Sequence, residues 1–345
     1  MSSENVFNYV QFGPQAGTFG APGAAVAATV LYPVEAPLTM ELDRGSAIAK
    51  QDRGRNVRNS AGAGYHGVRR ASATLPAQAR FEDLMDILEM HAEGGIAATG
   101  VGPYVWTYVL KADSAGAISL KPHTIEGGNG DAAQSQQRLR SALVNSLTLG
   151  FSDLAAGQAA PWTLSAEMVA IDREINALTA ALAPRTGLEV IQGQYSRLYE
   201  GTTATAFAAL VELAGSLKSF TMTTNRNLTL RAYGSASDLA TGFGFSDQTN
   251  GTFEAKVAVS ATSKSDFHDI WNVATPAPLG ERRWRVKTAG SGTKDLTIDM
   301  RTAILAVPYD EVDGERLFRV TGEFVDDDTL NGPVQWAITN SIATL

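Results

Sequence analysis

The densest group of possible ligand oxygens in this chain is Asp326-Asp327-Asp328. A calcium loop needs oxygen ligands at alternating positions and a glycine within a helix–loop–helix frame. The run has neither, so it reads as an acidic solvated turn. The four histidines, His66, His91, His123 and His268, include no pair at the i, i+3 or i+4 spacing that puts two ligands on one helical face. His268, on the polar side of its segment beside Asp269, reads as a surface imidazole. Gly62, Gly64 and Gly67 spell G-x-G-x-x-G, but a dinucleotide fingerprint follows a strand and opens a helix. Here a basic loop precedes and a strand-like stretch follows, so the glycines punctuate a loop. Gly290-Ser291-Gly292-Thr293-Lys294 lacks phosphate-loop spacing and reads as a flexible turn. There is no G-x-S-x-G elbow to expose a nucleophilic serine. The chain has no cysteine, which removes disulfides, thiolate metal sites and a cysteine nucleophile. These residues predict no enzyme, no metal and no cofactor.

The charges are spread unevenly. From Asp43 to Arg70 there are seven Arg and Lys against two Asp, whereas Tyr309 to Asp328 carries eight acidic residues against Arg316 and Arg319. Lys50, Arg53, Arg55, Arg58, Arg69 and Arg70 could neutralise phosphates, but few aromatics stand among them for base stacking. The loop could also be merely solvated. The third reading is an assembly element whose guanidinium groups pair with carboxylates, Asp326, Asp327 and Asp328 included, on a neighbouring copy. The matching acidic segment favours this one, because opposed patches steer and register partners. The net charge of −8 argues against a dedicated nucleic-acid binder.

The elements that must position these residues recur. A strand-like stretch from Gly67 to Leu75 runs into Phe81, Leu84, Met85 and Leu88. Gly251 to Ala261 runs into Phe267, Ile270, Trp271 and Ala274, each 186 positions after its counterpart, as Asp269 is after Asp83. Both apolar sets fall at i, i+3, i+4, i+7, the stripe of one buried helix face. Trp106 and Trp162 appear echoed by Trp284 and Trp336. A chain of 345 residues suits two domains of about 150 residues, each burying roughly 70% of its unfolded surface. Short strands with turns every 8 to 12 residues indicate a sandwich or barrel.

The expected organisation is an N-terminal arm over 1–29, too rich in Gly and Ala to make a core. A first domain follows over 30–170 with the long basic loop at 43–67, then a connector over 171–187 and a second domain over 188–345. Ile171, Ile175, Leu178 and Leu182 are helically spaced, Asp172 could start a helix and Pro184 with Gly187 would stop it. The fold class is mainly β: two tandem β-sandwich domains, each with one short flanking helix, joined by a helical connector. No apolar stretch reaches the ~20 residues that span a bilayer, and the N-terminus lacks a basic region before an apolar core. A soluble protein without a cleaved export signal or membrane partner is expected.

Several segments together resemble the major tail tube proteins of long-tailed (siphovirus-like) bacteriophages, in their larger, two-domain form. They are the Gly/Ala-rich start with Gly17-Thr18; Gly67 to Leu88, where a strand leads into Phe81-Glu82-Asp83-Leu84; Leu143 to Phe151 followed by Trp162 to Val169; and Leu217 to Thr229 with its Lys218-to-Asn227 run. The likeness covers most of the chain and is one of layout. The connector and the length of the basic loop depart from it. The resemblance implies a structural virion protein, made in the bacterial host cytoplasm. Its copies would form rings, three chains giving pseudo-sixfold symmetry, stacked into a tail tube through which genomic DNA passes without specific binding. Its partners would be other copies of itself and the tape measure, terminator and distal tail proteins. Other readings are a decoration or tail-terminator protein, and a carbohydrate-binding β-sandwich using Trp106, Trp162, Trp271, Trp284 and Trp336 as stacking platforms.

Overall fold

Strict alternation of buried and exposed residues organises the chain. Ala71, Ala73, Leu75 and Ala77 point inward between Ser72, Thr74 and Pro76, and Phe253, Ala255 and Val257 repeat this between Thr252, Glu254 and Lys256. Such period-two stretches bury one face of a sheet and wet the other. The structure, a computed structural model, describes residues 9–17, 19, 21, 23–32, 38–43, 46–48, 64–66, 70–95, 102–111, 119–128, 136–152, 160–213, 217–231, 239–259, 280–312 and 314–343. It is mainly β, with one α-helix among those residues.

The first run of elements is β1 (Tyr9–Pro14), β2 (Val30–Tyr32), β3 (Thr39–Asp43), β4 (Ser46–Ile48), β5 (Gly64–His66), β6 (Arg70–Gln78), α1 (Leu84–His91), β7 (Glu93–Gly94), β8 (Tyr104–Leu110), β9 (His123–Gly128), β10 (Gln137–Phe151), β11 (Thr163–Ala170) and β12 (Asp172–Ile175). The second is β13 (Ser196–Thr202), β14 (Val211–Glu212), β15 (Leu217–Asn225), β16 (Leu228–Arg231), β17 (Gly242–Phe245), β18 (Asn250–Ala258), β19 (Glu281–Ala289), β20 (Asp295–Ala306), β21 (Tyr309–Val312), β22 (Glu315–Phe324) and β23 (Val334–Asn340).

The repetition seen in the sequence extends to strand pairing. In the first run β1 pairs with β2 and β9, β9 with β10, β10 with β11 and β12, β11 with β6, β6 with β3, and β4 with β5. In the second, β13 pairs with β14 and β19, β19 with β20, β20 with β22 and β23, β22 with β18, β18 with β15, and β16 with β17. The two sets have the same chain order and the same antiparallel sense. They also share a β-bulge: β10 slips register against β11 between Val144 and Ser146, and β20 slips against β22 between Ile304 and Ala306. An extra residue at one matched place aligns the two halves residue by residue.

Several expectations change. Tyr9–Pro14, within the stretch expected to be an arm, is a strand held between β2 and β9 with Val10 and Phe12 buried. The connector is not helical. Asp172–Ile175 adds to β10 opposite Arg140 to Gln137, and residues 176–187 contain no helix. The physical reason is that the long β10 offers ladder hydrogen bonds on that side, and pairing with it leaves Ile171 buried but Ile175 74% exposed, so the helical stripe has no single face to cover. The tryptophan echo also fails positionally. Trp106 lies on β8, which pairs with β23, whereas Trp284 lies on β19, the counterpart of β9. Phe267, Ile270, Trp271 and Ala274, the expected second helix, lie outside the described residues. Phe81, Leu84, Met85 and Leu88 do form the buried stripe of α1 and its lead-in. The helix is sunk so far that Asp86, Glu89 and His91 are buried as well. Among the described residues no helix is long and apolar enough to cross a membrane.

Candidate assembly surface

The two halves meet edge to edge. The C-terminal part of β10 pairs with β15, Ser146 opposite Asn225 through to Phe151 opposite Phe220, and β8 of the first half pairs with β23 of the second. Gly150 permits the approach, since a Cβ there would lie 2.1 Å from the Phe220 carbonyl oxygen. Across the seam the Thr148 and Thr223 hydroxyls hydrogen-bond at 3.0 Å. The bulge residue Asn145 accepts from the Arg226 N–H at 2.7 Å through its carbonyl, and from the Leu228 N–H at 2.6 Å through Oδ1.

Arg226 pins this seam from inside. Its side chain is wholly buried, donating from Nε to the His91 carbonyl at 2.7 Å and from Nη1 to the Lys111 carbonyl at 2.9 Å. His91 ends α1, so the guanidinium also sits at the negative end of the helix dipole. Burial, and then the Arg226 charge, push the His91 pKa down to about 3, so the imidazole is neutral. Its Nδ1 lies 3.1 Å from the Val144 carbonyl, which can only accept, and must carry the proton. Nε2 then accepts from the Thr224 hydroxyl at 2.7 Å. A helix of the first half and a strand of the second are thus locked through one neutral ring.

One face of the joined sheet is wet across both halves. The registers place Ser72 and Thr74 of β6 beside Val169 and Glu167 of β11, and Ser165 beside Thr148 of β10. Beyond the seam they place Thr223 and Thr221 of β15 beside Thr252 and Glu254 of β18, then Glu323 and Thr321 of β22. Short hydroxyls and carboxylates dominate this strip. Its cations Lys256 and Arg319 lie 3.4 Å from Asp310 and 3.7 Å from Glu254.

A buried acidic cluster surrounds α1. Arg185, just after the connector's apolar stripe, forks onto Asp86 at 2.5 and 3.0 Å and reaches Asp83 at only 3.4 Å. Lys121 meets Glu89 at 2.7 Å, and Lys294 of the second half meets Glu82 at 2.6 Å. Because Asp86 takes the arginine fork, Arg185 is held charged while Asp83 is still pushed up, to about 6, by burial and the Asp86 charge. The folded state therefore binds a proton on Asp83 more tightly than the unfolded chain. Its contribution to stability is fully present below about pH 4 and is lost as pH rises through about 6, a swing of about 3 kcal/mol. Asp83→Asn is expected to gain stability relative to the parent by about that amount between pH 4 and pH 8, as read from urea unfolding. A pH-independent difference between the two proteins would contradict the assignment.

Of the residues singled out in the sequence, Lys50, Arg53, Arg55, Arg58 and Arg69 lie outside the described residues. Arg70 is the exposed first residue of β6, opposite Asp43. The strands β4 and β5, at the two ends of the basic loop, pair with each other. Asp327 is buried and takes the Arg283 fork at 2.7 and 3.0 Å, with Asp326 and Asp328 exposed on either side. Other acids of that segment also have cations in the same chain: Asp310 has Lys256, and Glu315 has Lys218 at 2.7 Å. Sequence reasoning missed Arg226, His91, Thr224 and Arg185, which share no motif and meet only across the seam or the connector. Among the described residues no group of three or more histidine and carboxylate side chains is placed to hold a metal ion. The chain matches no known protein family, and no curated protein matches it.

Proposed function

We propose that this chain is a structural virion protein: two tandem β-sandwich domains whose copies assemble into rings, three chains per ring with pseudo-sixfold symmetry. The rings stack into the tail tube of a long-tailed bacteriophage. The observation that carries this reading is the seam between β10 and β15, where two halves of matching topology continue one sheet edge to edge. A unit that joins its own duplicate in this way joins further copies by the same rule, and rotation closes such head-to-tail contacts into a ring. The wet face fits a lumen. Its carboxylates repel phosphate and its short side chains offer no stacking platform, so DNA slides instead of binding. The chain would be made in the host cytoplasm, end in the virion, and meet tape measure, terminator and distal tail proteins at the tube ends.

Negative-stain microscopy of the concentrated protein at physiological salt tests this. Hollow tubes with an axial repeat are expected. A monomer at millimolar concentration would overturn the proposal, and single closed rings that never stack would favour a terminator or decoration protein. The carbohydrate-binding reading has less to work with: Trp106, Trp162, Trp284 and Trp336 are buried, and Trp106, Trp162 and Trp284 spend their indole N–H groups on Ile342, Ser196 and Thr302.

A further inference from the structure

From 176 to 187 the chain crosses the first half without joining any strand ladder. The Leu178 N–H donates to Gln136 Oε1 at 2.9 Å and the Thr179 N–H to Glu126 Oε2 at 2.7 Å. The Ala28 N–H reaches the Thr179 hydroxyl at 3.1 Å, and Pro184 makes an isolated bridge to Leu31. The surface beneath is polar. Gln11 and Glu126, side by side on β1 and β9, are buried, and Gln11 Oε1 finds no hydrogen bond among the described residues. Covering polar groups removes little apolar surface from water, so a segment held in this way lifts at low cost. Ala181 adds to the ease of release, being held at a φ of 60°, which disfavours any residue with a Cβ.

The far end of this strap is fastened more firmly. Arg185 forks onto Asp86, lies 3.4 Å from Asp83 and donates to the Glu82 carbonyl at 2.8 Å. Asp83 is 1% exposed. Facing it are Asp86 on α1, Arg80 at 3.7 Å on the approach to α1, Arg185 on the strap and the Tyr32 phenol on β2. Glu82, its neighbour in sequence, is engaged by Lys294 and the Glu189 N–H. Asp83 Oδ2 and the Tyr32 hydroxyl both lack a hydrogen bond among the described residues. Closure thus leaves Asp83 dry, beside a second carboxylate that takes the arginine fork. Either a proton or water relieves that arrangement.

We propose that residues 176–187 are a strap that lifts from the first sheet without global unfolding, and that Asp83 is its proton-controlled latch. While Asp83 holds a proton, the strap stays down with Arg185 committed to Asp86. Once Asp83 is ionised, lifting the strap hydrates the carboxylate, so the open form is populated more often. Burial and the Asp86 charge place this change near pH 6.

Amide hydrogen exchange on the full chain tests the device, with Leu178 and Thr179 reporting on the strap. The Arg226 N–H, bonded to the Asn145 carbonyl at 2.7 Å, reports on global unfolding. With the pH dependence of intrinsic exchange removed, protection at Leu178 and Thr179 is expected to fall about tenfold between pH 5 and pH 8, and to stay well below that of Arg226. Asp83→Asn, which stays neutral, should abolish this dependence and keep the pH 5 level of protection at pH 8. Because the chain lacks cysteine, Leu31→Cys with Pro184→Cys can staple the strap at its bridge. The oxidised staple should raise protection at Leu178 and Thr179 and remove its pH dependence, and reductant should restore both. The same pH dependence in Asp83→Asn as in the parent would overturn the latch. If that variant does not fold, pH dependence that persists in the oxidised staple does so instead. Exchange of Leu178 and Thr179 only in step with Arg226 would overturn the strap itself.

Discussion

Replacing Arg226 with methionine is expected to lower the unfolding free energy by about 3–5 kcal/mol, the cost typical of breaking a buried charged contact. Methionine keeps most of the volume, so the loss isolates the polar contribution. Two charge-assisted hydrogen bonds disappear, and the His91 and Lys111 carbonyls are left buried without them. The cation at the C-terminus of α1 goes too. His91 should respond separately: with the Arg226 charge removed, one of the causes that depress its pKa is gone and its pKa should rise. The control is Arg197→Met, an exposed arginine 3.3 Å from Glu212, expected to change stability by less than about 0.5 kcal/mol. Equal shifts in urea midpoint for the two variants would show that Arg226 does not pin the seam.

Gly150→Val is expected to open the seam between β10 and β15 and to destabilise the chain by about 3 kcal/mol, at the upper end of overpacking costs. The obstacle is backbone. The new Cβ would fall 2.1 Å from the Phe220 carbonyl oxygen and 2.7 Å from the Thr221 Cα, and no rotamer change relieves either contact. Amide exchange localises the effect: protection should collapse at Thr221 and Thr223 while the ladder between β6 and β11 keeps its own. Gly280→Val, where an added Cβ meets nothing within 4 Å, is the matched control and should stay within about 0.5 kcal/mol. Unchanged exchange at Thr221 in Gly150→Val would refute the close approach.

What could be read in advance follows local periodicity. Sequence alternation predicts strands at Tyr104 to Leu110, Leu217 to Thr224, Thr252 to Ala261, Leu296 to Ala306 and Val334 to Ile342, within a few residues of β8, β15, β18, β20 and β23, but it predicts neither β17 nor β21. Alternating burial and turn residues are properties of neighbours in sequence. The same logic found α1 through Phe81, Leu84, Met85 and Leu88. It failed at Ile171 to Ala183, where helical spacing lost to a ladder offered by β10 from more than thirty positions upstream. Leu188 to Tyr195, whose pattern predicts a strand, makes isolated bridges from Val190 to Arg80 and from Gln192 to Pro161 and a short 3-10 turn at Gly193–Tyr195, because its partners are single residues and not a full edge.

The order of residues was enough to establish a β-rich chain with a duplicated plan and one buried helical stripe, since each depends only on side chains a few positions apart. Which edges join was decided in three dimensions. The matched bulges at Asn145 and Leu305 need Met168 and Gly322 on neighbouring strands, and the buried Arg226 beneath the seam needs the His91 and Lys111 carbonyls 135 and 115 positions away. Hydrogen bonding between strands is made by the main chain, which every residue shares, and so leaves little trace in residue type.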